Sequence, residues 1–203
     1  VGEPKALDSL QTALLNDNDP VVQCSAAGAM AIFGEEAIHS FLKILENKKS
    51  TSMQSGLATW GISFAGHKAK ETLKKATNSA NSSIRYAAIA ALESHLQTLD
   101  DDELSFIFTK SINDMCPDIQ KLTIRLIGKL TKRKWARTIL IENLNCEDPV
   151  KRKYSALSLI QSNDIRFLEK LIQREKEEND LNVLNIIKIA IKRLNLVQIN
   201  QRE

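Results

Sequence analysis

Apolar residues recur along this chain at the spacing of one face of an α-helix, and polar turn residues interrupt them at intervals. The first clear start is Asp19-Pro20, where an aspartate can cap a helix whose first turn begins with proline. Small residues follow on one side of that helix and larger apolar residues on the other, which predicts close packing against neighbouring helices. No strand-like alternation is sustained, so the sequence predicts an all-α fold.

The same helix pattern returns further down the chain at nearly constant spacing. The matched apolar positions are Val22, Met53, Ile84 and Ile119, at steps of 31, 31 and 35 residues. Shorter amphipathic stretches lie between these helices, so each repeat is predicted to be an antiparallel helix pair. A period in this range is typical of an α-solenoid. We predict one domain over residues 1–203, with repeats at about 4–34, 35–66, 67–98, 99–131, 132–162 and 163–197.

The second helix of the second pair departs from the pattern because it contains Gly56, Gly61 and Gly66. Glycine inside a helix costs about 1 kcal/mol relative to alanine, so these residues need a reason. One reason is close packing of a neighbouring helix, and the other is room for a ligand beside Trp60.

Charged clusters are predicted to have structural roles. The acids from Asp100 onward are predicted to cap the next helix rather than to bind a metal, because acids in a first turn favour the helix dipole. In the sixth pair, the charged run 174–178 is predicted to lie on a solvated turn.

The second helices carry a recognisable signature. Clear copies are Ile84–Leu92 and Asp148–Leu157, which resemble the Asp-x-x-Val-Arg-x-x-Ala-Ala-x-Ala-Leu-like pattern of a HEAT repeat. The short period is similar to that of the HEAT-like variety found in phycobilisome lyases, the E/F-type phycobilin lyase family. This resemblance covers nearly the whole chain, from about Pro4 to about Leu196. It implies a right-handed α-solenoid of about six HEAT-like antiparallel helix pairs.

The resemblance also implies a function, namely attaching open-chain tetrapyrroles to cysteines of phycobiliproteins. The chain would be a lyase subunit or a chaperone-like subunit that takes phycocyanobilin or phycoerythrobilin as substrate, with no permanently bound cofactor. Its partners would be a second HEAT-like lyase subunit and a phycobiliprotein subunit. Flat pyrrole rings bind well to aromatic side chains, and the two propionates of the pigment bind well to cationic side chains. The candidate ligand-binding residues, expected on the concave face, are Trp60, Arg85, Tyr86, Arg125 and Tyr154; no catalytic residue is identified.

In HEAT-like stacks the second helices line the concave surface, and the residue after each buried Val or Ile position would project towards it. These residues are Gln23, Gln54, Arg85, Gln120 and Lys151 or Arg152. The family often carries an Asp–Arg ladder there, whereas three of these positions are glutamine in this chain. The ladder also has a structural purpose, which is to bond adjacent repeats.

Two other functions fit the sequence. Many HEAT-like proteins are non-catalytic scaffolds that hold a protein segment in their groove. The net charge of +3 is small, but residues 121–153 contain ten basic and three acidic side chains. Such a basic surface is also typical of nucleic-acid binding, as in HEAT-like DNA glycosylases. A solvated turn around Lys132–Lys134 is the commoner origin of such charge, so nucleic acid is the weaker alternative.

Cysteine and histidine give no catalytic or metal-binding pattern. The three cysteines (Cys24, Cys116 and Cys146) form no CxxC pair, their odd number fits a reducing cytoplasm, and Cys24 is predicted to be in the core. The histidines (His39, His67 and His95) are 28 residues apart, out of register with the repeat, so no shared metal site is expected. No signal peptide or long apolar segment is visible, so we expect a cytoplasmic protein with no membrane contact.

Overall fold

The computed structural model describes residues 4–66 and 69–200, and every regular element in these two ranges is helical. The prediction of an all-α fold is therefore confirmed. The described α-helices are α1 Pro4–Asn16, α2 Pro20–Ala31, α3 Glu35–Glu46, α4 Ser52–Ala65, α5 Lys70–Ala76, α6 Ser82–Ala91, α7 Asp101–Ser111, α8 Pro117–Gly128, α9 Lys134–Leu144, α10 Pro149–Ser162, α11 Leu168–Glu177 and α12 Leu181–Asn200. Short 3-10 turns follow α6 at Leu92–His95 and precede α11 at Ile165–Phe167. Of the helices described, none is long and apolar enough to cross a membrane.

The chain forms two compact units, which divide between Leu99 and Asp100. In the first unit α1 packs against α2, α3 against α4 and α5 against α6, while α2, α4 and α6 pack in succession. In the second unit the pairs are α7 with α8, α9 with α10 and α11 with α12, while α8, α10 and α12 pack in succession. Each unit thus contains three helix pairs. A single continuous domain over residues 1–203 stays a prediction.

The helices begin where cap residues stand in the sequence. Asp19 and Asp148 each accept a 2.8 Å hydrogen bond from an N–H in the first turn of the helix that follows, and each precedes a proline. Asp100 caps α7 in the same way at 2.9 Å, which confirms the predicted cap. Thr51 and Gln54 form a reciprocal capping box at the start of α4.

Two side chains in the first unit tie one helix pair to the next. The Gln54 Nε2 atom, near the start of α4, donates to the carbonyl of Leu15 in the last turn of α1, at 2.8 Å. The Asn81 Nδ2 atom, before α6, donates to the carbonyl of Leu45 in the last turn of α3, at 3.0 Å. These bonds satisfy carbonyls that a helix end leaves without an intrahelical partner. The predicted bonding between adjacent repeats is therefore found at Gln54.

Close helix approach depends on glycine at two places. A Cβ atom on Gly61 would overlap the fully buried ring of Phe41, so α3 and α4 could not keep their present contact. A Cβ atom on Gly128 would lie 2.7 Å from the Cβ atom of Ser158, where α8 meets α10. The Ser158 hydroxyl donates to the carbonyl of Ile124 across the same contact, at 3.1 Å. Close packing therefore explains Gly61.

Candidate functional site

An aromatic pair is exposed on the first unit. The rings of Trp60 and Phe64, one turn apart on α4, stack with their centroids 5.6 Å apart and their planes 24° from parallel. The two residues are 47% and 57% exposed. Large apolar side chains that cluster at the surface are informative, because contiguous exposed apolar patches often mark binding sites.

Helix α2 provides the adjoining part of this surface. A Cβ atom on Gly28 would lie 3.9 Å from the Cη2 atom of Trp60, so the backbone of α2 runs beside the indole. Val21 and Ile32, seven residues before and four residues after Gly28, lie on the same face of the helix and are largely exposed. We call the surface formed by Val21, Gly28, Ile32, Trp60 and Phe64 the aromatic face.

The glycines of α4 are of two kinds. Gly61 is required by packing against Phe41, as described above. Gly56 stands one turn before Trp60, and a Cβ atom there would have no neighbouring atom within 4 Å in the described part of the chain. Packing therefore does not explain Gly56. The other interpretation, that a glycine here leaves room for a ligand beside Trp60, still applies to this position.

Arg85 and Tyr86 lie near the start of α6, which packs against α4. The Arg85 Nη1 atom donates to the carbonyls of Ser79 and Ala80, both at 2.9 Å, so this guanidinium braces the turn before its own helix. Tyr86 is half-buried. The structure thus brings both predicted residues onto the helix next to that of Trp60, and gives Arg85 a structural role as well.

Side chains at equivalent places on other second helices brace their turns in the same way. Gln23 and Gln120 each donate to a carbonyl six residues earlier, at 2.7 and 2.5 Å. Arg152 donates to the carbonyls five and six residues earlier, at 2.6 and 3.1 Å. The prediction that these positions project into a groove is wrong for Gln54, which is buried. Of the two alternatives at the last position, Arg152 is buried and Lys151 is half-buried. The reason is that turns and helix ends leave carbonyls which a long polar side chain can satisfy.

Arg125 and Tyr154 belong to the second unit, where they lie on α8 and α10. Arg125 is exposed and Tyr154 is half-buried. Lys121, one turn before Arg125, forms an ion pair with Asp118 at 3.1 Å. The Asp118 carboxylate raises the pKa of Lys121, with a smaller contribution from Tyr154. Lys121 and Arg125, four residues apart on α8, therefore lie on one face of that helix.

The basic region 121–153 is extensively bonded within its own unit. The bonds join Lys121 to Asp118 at 3.1 Å, Arg133 to Asp101 at 2.7 Å, Arg137 to the carbonyls of Thr131 and Lys132 at 2.9 Å, Lys151 to Asn113 at 3.2 Å, and Arg152 to Glu178 at 2.6 Å. Binding to a phosphate backbone relies on cations that are available to the phosphates. The internal bonds of these five side chains argue against the nucleic-acid alternative.

A buried ion pair fixes α10 against the connection between α11 and α12. The Arg152 Nε and Nη2 atoms donate to the two carboxylate oxygens of Glu178, at 2.7 and 2.6 Å, and the Glu178 side chain is 0% exposed. The hydrogen bonds from Arg152, the backbone N–H of Asp180 and the charge of Arg174 lower the pKa of Glu178 from its usual 4.5 to about 2. The predicted solvated turn over 174–178 is therefore wrong at Glu178.

The cysteines and histidines form no reactive cluster in the described part of the chain. Cys24 is exposed, so its predicted place in the core is wrong: α2 turns Ala26 and Ala27 inward instead. The buried His95 has its Nε2 atom 2.6 Å from the carbonyl of Gly66, at the end of α4. His67 lies outside the described residues. Within residues 4–66 and 69–200, no three His, Cys, Asp or Glu side chains are grouped so that they could hold a metal ion.

Two residues of these surfaces were not among the ligand-binding candidates chosen from the sequence. Phe64 stacks on the predicted Trp60, and Lys121 shares a surface with the predicted Arg125. Each stands four residues from the predicted residue on the same helix. The i, i+4 spacing, which brings side chains onto one helix face, was the signal available for both.

The fold defines an all-helical protein built of helix pairs, with an exposed aromatic face on its first unit. The chain is 32% identical over 153 residues to the bilin biosynthesis protein MpeU of Synechococcus sp. (strain WH8020). The match covers 74% of this chain and 52% of that relative, so the chain spans about half the relative's length. The predicted resemblance to the phycobilin lyase family is confirmed by this match.

No protein-family model matches the chain. Two solved structures show weaker likeness. The crystal structure of an engineered protein has a TM-score of 0.48 at 15% identity, covering 94% of this chain and 97% of that one. Human deoxyhypusine hydroxylase in complex with glycerol has a TM-score of 0.38 at 14% identity, covering 96% and 86%. Neither TM-score reaches 0.5, so neither structure indicates a function for this chain.

Proposed function

We propose that this chain is a subunit of a bilin lyase, or of a lyase-like chaperone, that holds an open-chain tetrapyrrole and helps attach it to a cysteine of a phycobiliprotein. The observation that carries the proposal is the match to a bilin biosynthesis protein over 74% of the chain. The exposed aromatic face supports it, because conjugated rings stack on aromatic side chains. In this proposal the six helix pairs continue as one right-handed α-solenoid.

The aromatic face is the proposed binding surface for the pyrrole rings. Trp60 and Phe64 supply stacking partners, and an aromatic contact is worth about 0.5–1.5 kcal/mol beyond the area it buries. Val21 and Ile32 extend the apolar surface along α2. The exposed Arg125 of the second unit is a separate candidate for binding an anionic group, and it is tested with its own variant, Arg125→Ala.

The contribution of the chain to attachment is positioning. The acceptor thiol adds across an exocyclic double bond of the pigment, so a C–S bond forms, one π bond is lost and the thiol proton ends on the pigment. This step needs no oxidant and releases no leaving group. A surface that holds the pigment in one conformation raises the rate by orienting it towards the thiol. A phycobiliprotein subunit and a second HEAT-like subunit are the proposed partners.

An attachment assay tests this function. An apo phycobiliprotein subunit is incubated with phycocyanobilin or phycoerythrobilin, with and without this chain and its candidate partner, and the pigment retained after denaturation is measured. We expect faster attachment with the chain, and about tenfold slower attachment with Trp60→Ala, which corresponds to about 1.4 kcal/mol. Phe106→Ala removes an exposed phenylalanine from α7, in the other unit, and is the control. Equal rates with and without the chain contradict the proposal.

A protein-binding scaffold is the second candidate function. Exposed apolar side chains such as Ile32 and Phe64 also fit a protein segment, which is the specific observation in its favour. This alternative predicts binding to a protein partner without any binding of free bilin. The spectrum of bilin mixed with the isolated chain therefore separates the two candidates.

A further inference from the structure

Two glycines, one in the aromatic face and one beside it, are not required by the fold. Gly28 on α2 and Gly56 on α4 lie inside helices, where alanine is the better helix former. A Cβ atom at Gly28 would make an ordinary van der Waals contact at 3.9 Å, and one at Gly56 would meet open space. Gly61 and Gly128 differ, because an added Cβ atom would collide there. Neither helix stability nor packing explains Gly28 and Gly56.

Gly28 borders the indole of Trp60 from α2, and Gly56 lies one turn before Trp60 on α4. A side chain at Gly28 would contact the indole, and a side chain at Gly56 would stand on the exposed surface one turn before it. Because glycine has none, the helix backbone beside the Trp60–Phe64 stack is open to close approach.

We infer that Gly28 and Gly56 are specificity-determining residues of the aromatic face. Their missing side chains let a flat, extended conjugated ligand, of the open-chain tetrapyrrole class, lie against the helix backbone while it stacks on Trp60. A ligand of several linked rings is wider than one indole and must cross the neighbouring helix turns. Any larger residue at these positions lifts such a ligand away from Trp60. This inference rests on the proposed function and concerns the same surface.

The test adds bulk at Gly56 without touching the core. Gly56→Leu and Gly56→Ala are titrated with phycocyanobilin and followed by absorption, beside the wild-type chain. We expect the dissociation constant to rise about tenfold or more for leucine and less for alanine. The melting temperature should stay or rise by about 2 °C, since both residues favour the helix more than glycine does. Ser9→Leu adds the same side chain at an exposed position of α1 and is the matched control.

The outcomes separate the inference from the function on which it rests. Weaker binding by Gly56→Leu, with unchanged melting temperature and unchanged binding by Ser9→Leu, supports the inference. Wild-type affinity in Gly56→Leu overturns the inference and leaves the proposed function standing. A wild-type chain that produces no spectral change overturns both. If Gly56→Leu lowers the melting temperature, the affinities of Gly56→Ala and Gly28→Ala for phycocyanobilin are compared with that of the wild-type chain. Weaker binding at an unchanged melting temperature supports the inference, and wild-type affinity in both variants overturns it.

Discussion

Removing the charge of Glu178 should destabilise the second unit in a pH-dependent way. The change is Glu178→Gln, which keeps the shape of the side chain but leaves Arg152 buried beside a neutral amide. In the folded chain both carboxylate oxygens accept bonds from Arg152, and a further oxygen contact is made by the N–H of Asp180, at 2.9 Å. Breaking a buried ion pair by removing one partner typically costs about 3–5 kcal/mol.

The pKa of Glu178 gives an independent value for the stability that this charge contributes. The fall from 4.5 to about 2 corresponds to about 3 kcal/mol at about 1.4 kcal/mol per pH unit. A carboxyl whose pKa is lower in the folded state stabilises the fold above its unfolded pKa, and this stability is lost as the pH falls towards the folded pKa. The contribution is therefore complete above about pH 5 and disappears between about pH 4.5 and pH 2. At pH 3 about 1 kcal/mol of it should remain.

Urea unfolding of the wild-type chain and of Glu178→Gln, followed by circular dichroism at pH 7 and pH 3, measures this directly. The difference in free energy of unfolding should be about 3 kcal/mol at pH 7 and about 1 kcal/mol at pH 3. The other carboxylates, including Asp164, whose pKa is lowered by Arg166, are common to both chains and cancel in the difference. A difference that is small, or that does not change between the two pH values, would refute the reasoning.

Two further predictions concern the first unit. Gly61→Ala forces a methyl group into the Phe41 ring and should lower the free energy of unfolding by about 1–3 kcal/mol. Gly56→Ala places its methyl group in open space and should raise the free energy of unfolding by about 0.5–1 kcal/mol. Chemical denaturation measures both variants, and equal effects would contradict the packing described. Asn81→Ala removes both the cap of α6 and the hydrogen bond to Leu45, so it should lower the stability by about 1–2 kcal/mol and reduce the melting temperature. Asn182→Ala, at an exposed position of α12, is the control. An equal loss of stability in both variants would contradict the role of Asn81.

Local signals in the sequence were enough to predict the helix pairs. Asp19, Asp100 and Asp148 mark helix starts because a short polar side chain can satisfy an orphan N–H, and this depends on neighbouring residues only. Trp60 could be chosen as an exposed aromatic residue because glycines surround it on α4. Phe64 shares its face four residues later and could have been chosen by the same reasoning.

The remaining features depend on contacts between distant parts of the chain. Glu178 reads as part of a solvated charged run, and its burial depends on Arg152, 26 residues earlier. Gly56 and Gly61 look alike in sequence and differ only because the ring of Phe41 lies against one of them. Cys24 faces outward because the neighbouring alanines of α2 pack inward. The mostly small residues of α2 do not determine this rotation of the helix.

The most direct test of the account is an absorption titration of the purified chain with phycocyanobilin and phycoerythrobilin. We predict a saturable, red-shifted complex whose affinity falls about tenfold in Trp60→Ala and in Phe64→Ala, and is unchanged in Phe106→Ala. No spectral change with either pigment, or equal affinity in the wild-type chain and Trp60→Ala, would contradict the claim that the aromatic face binds a bilin.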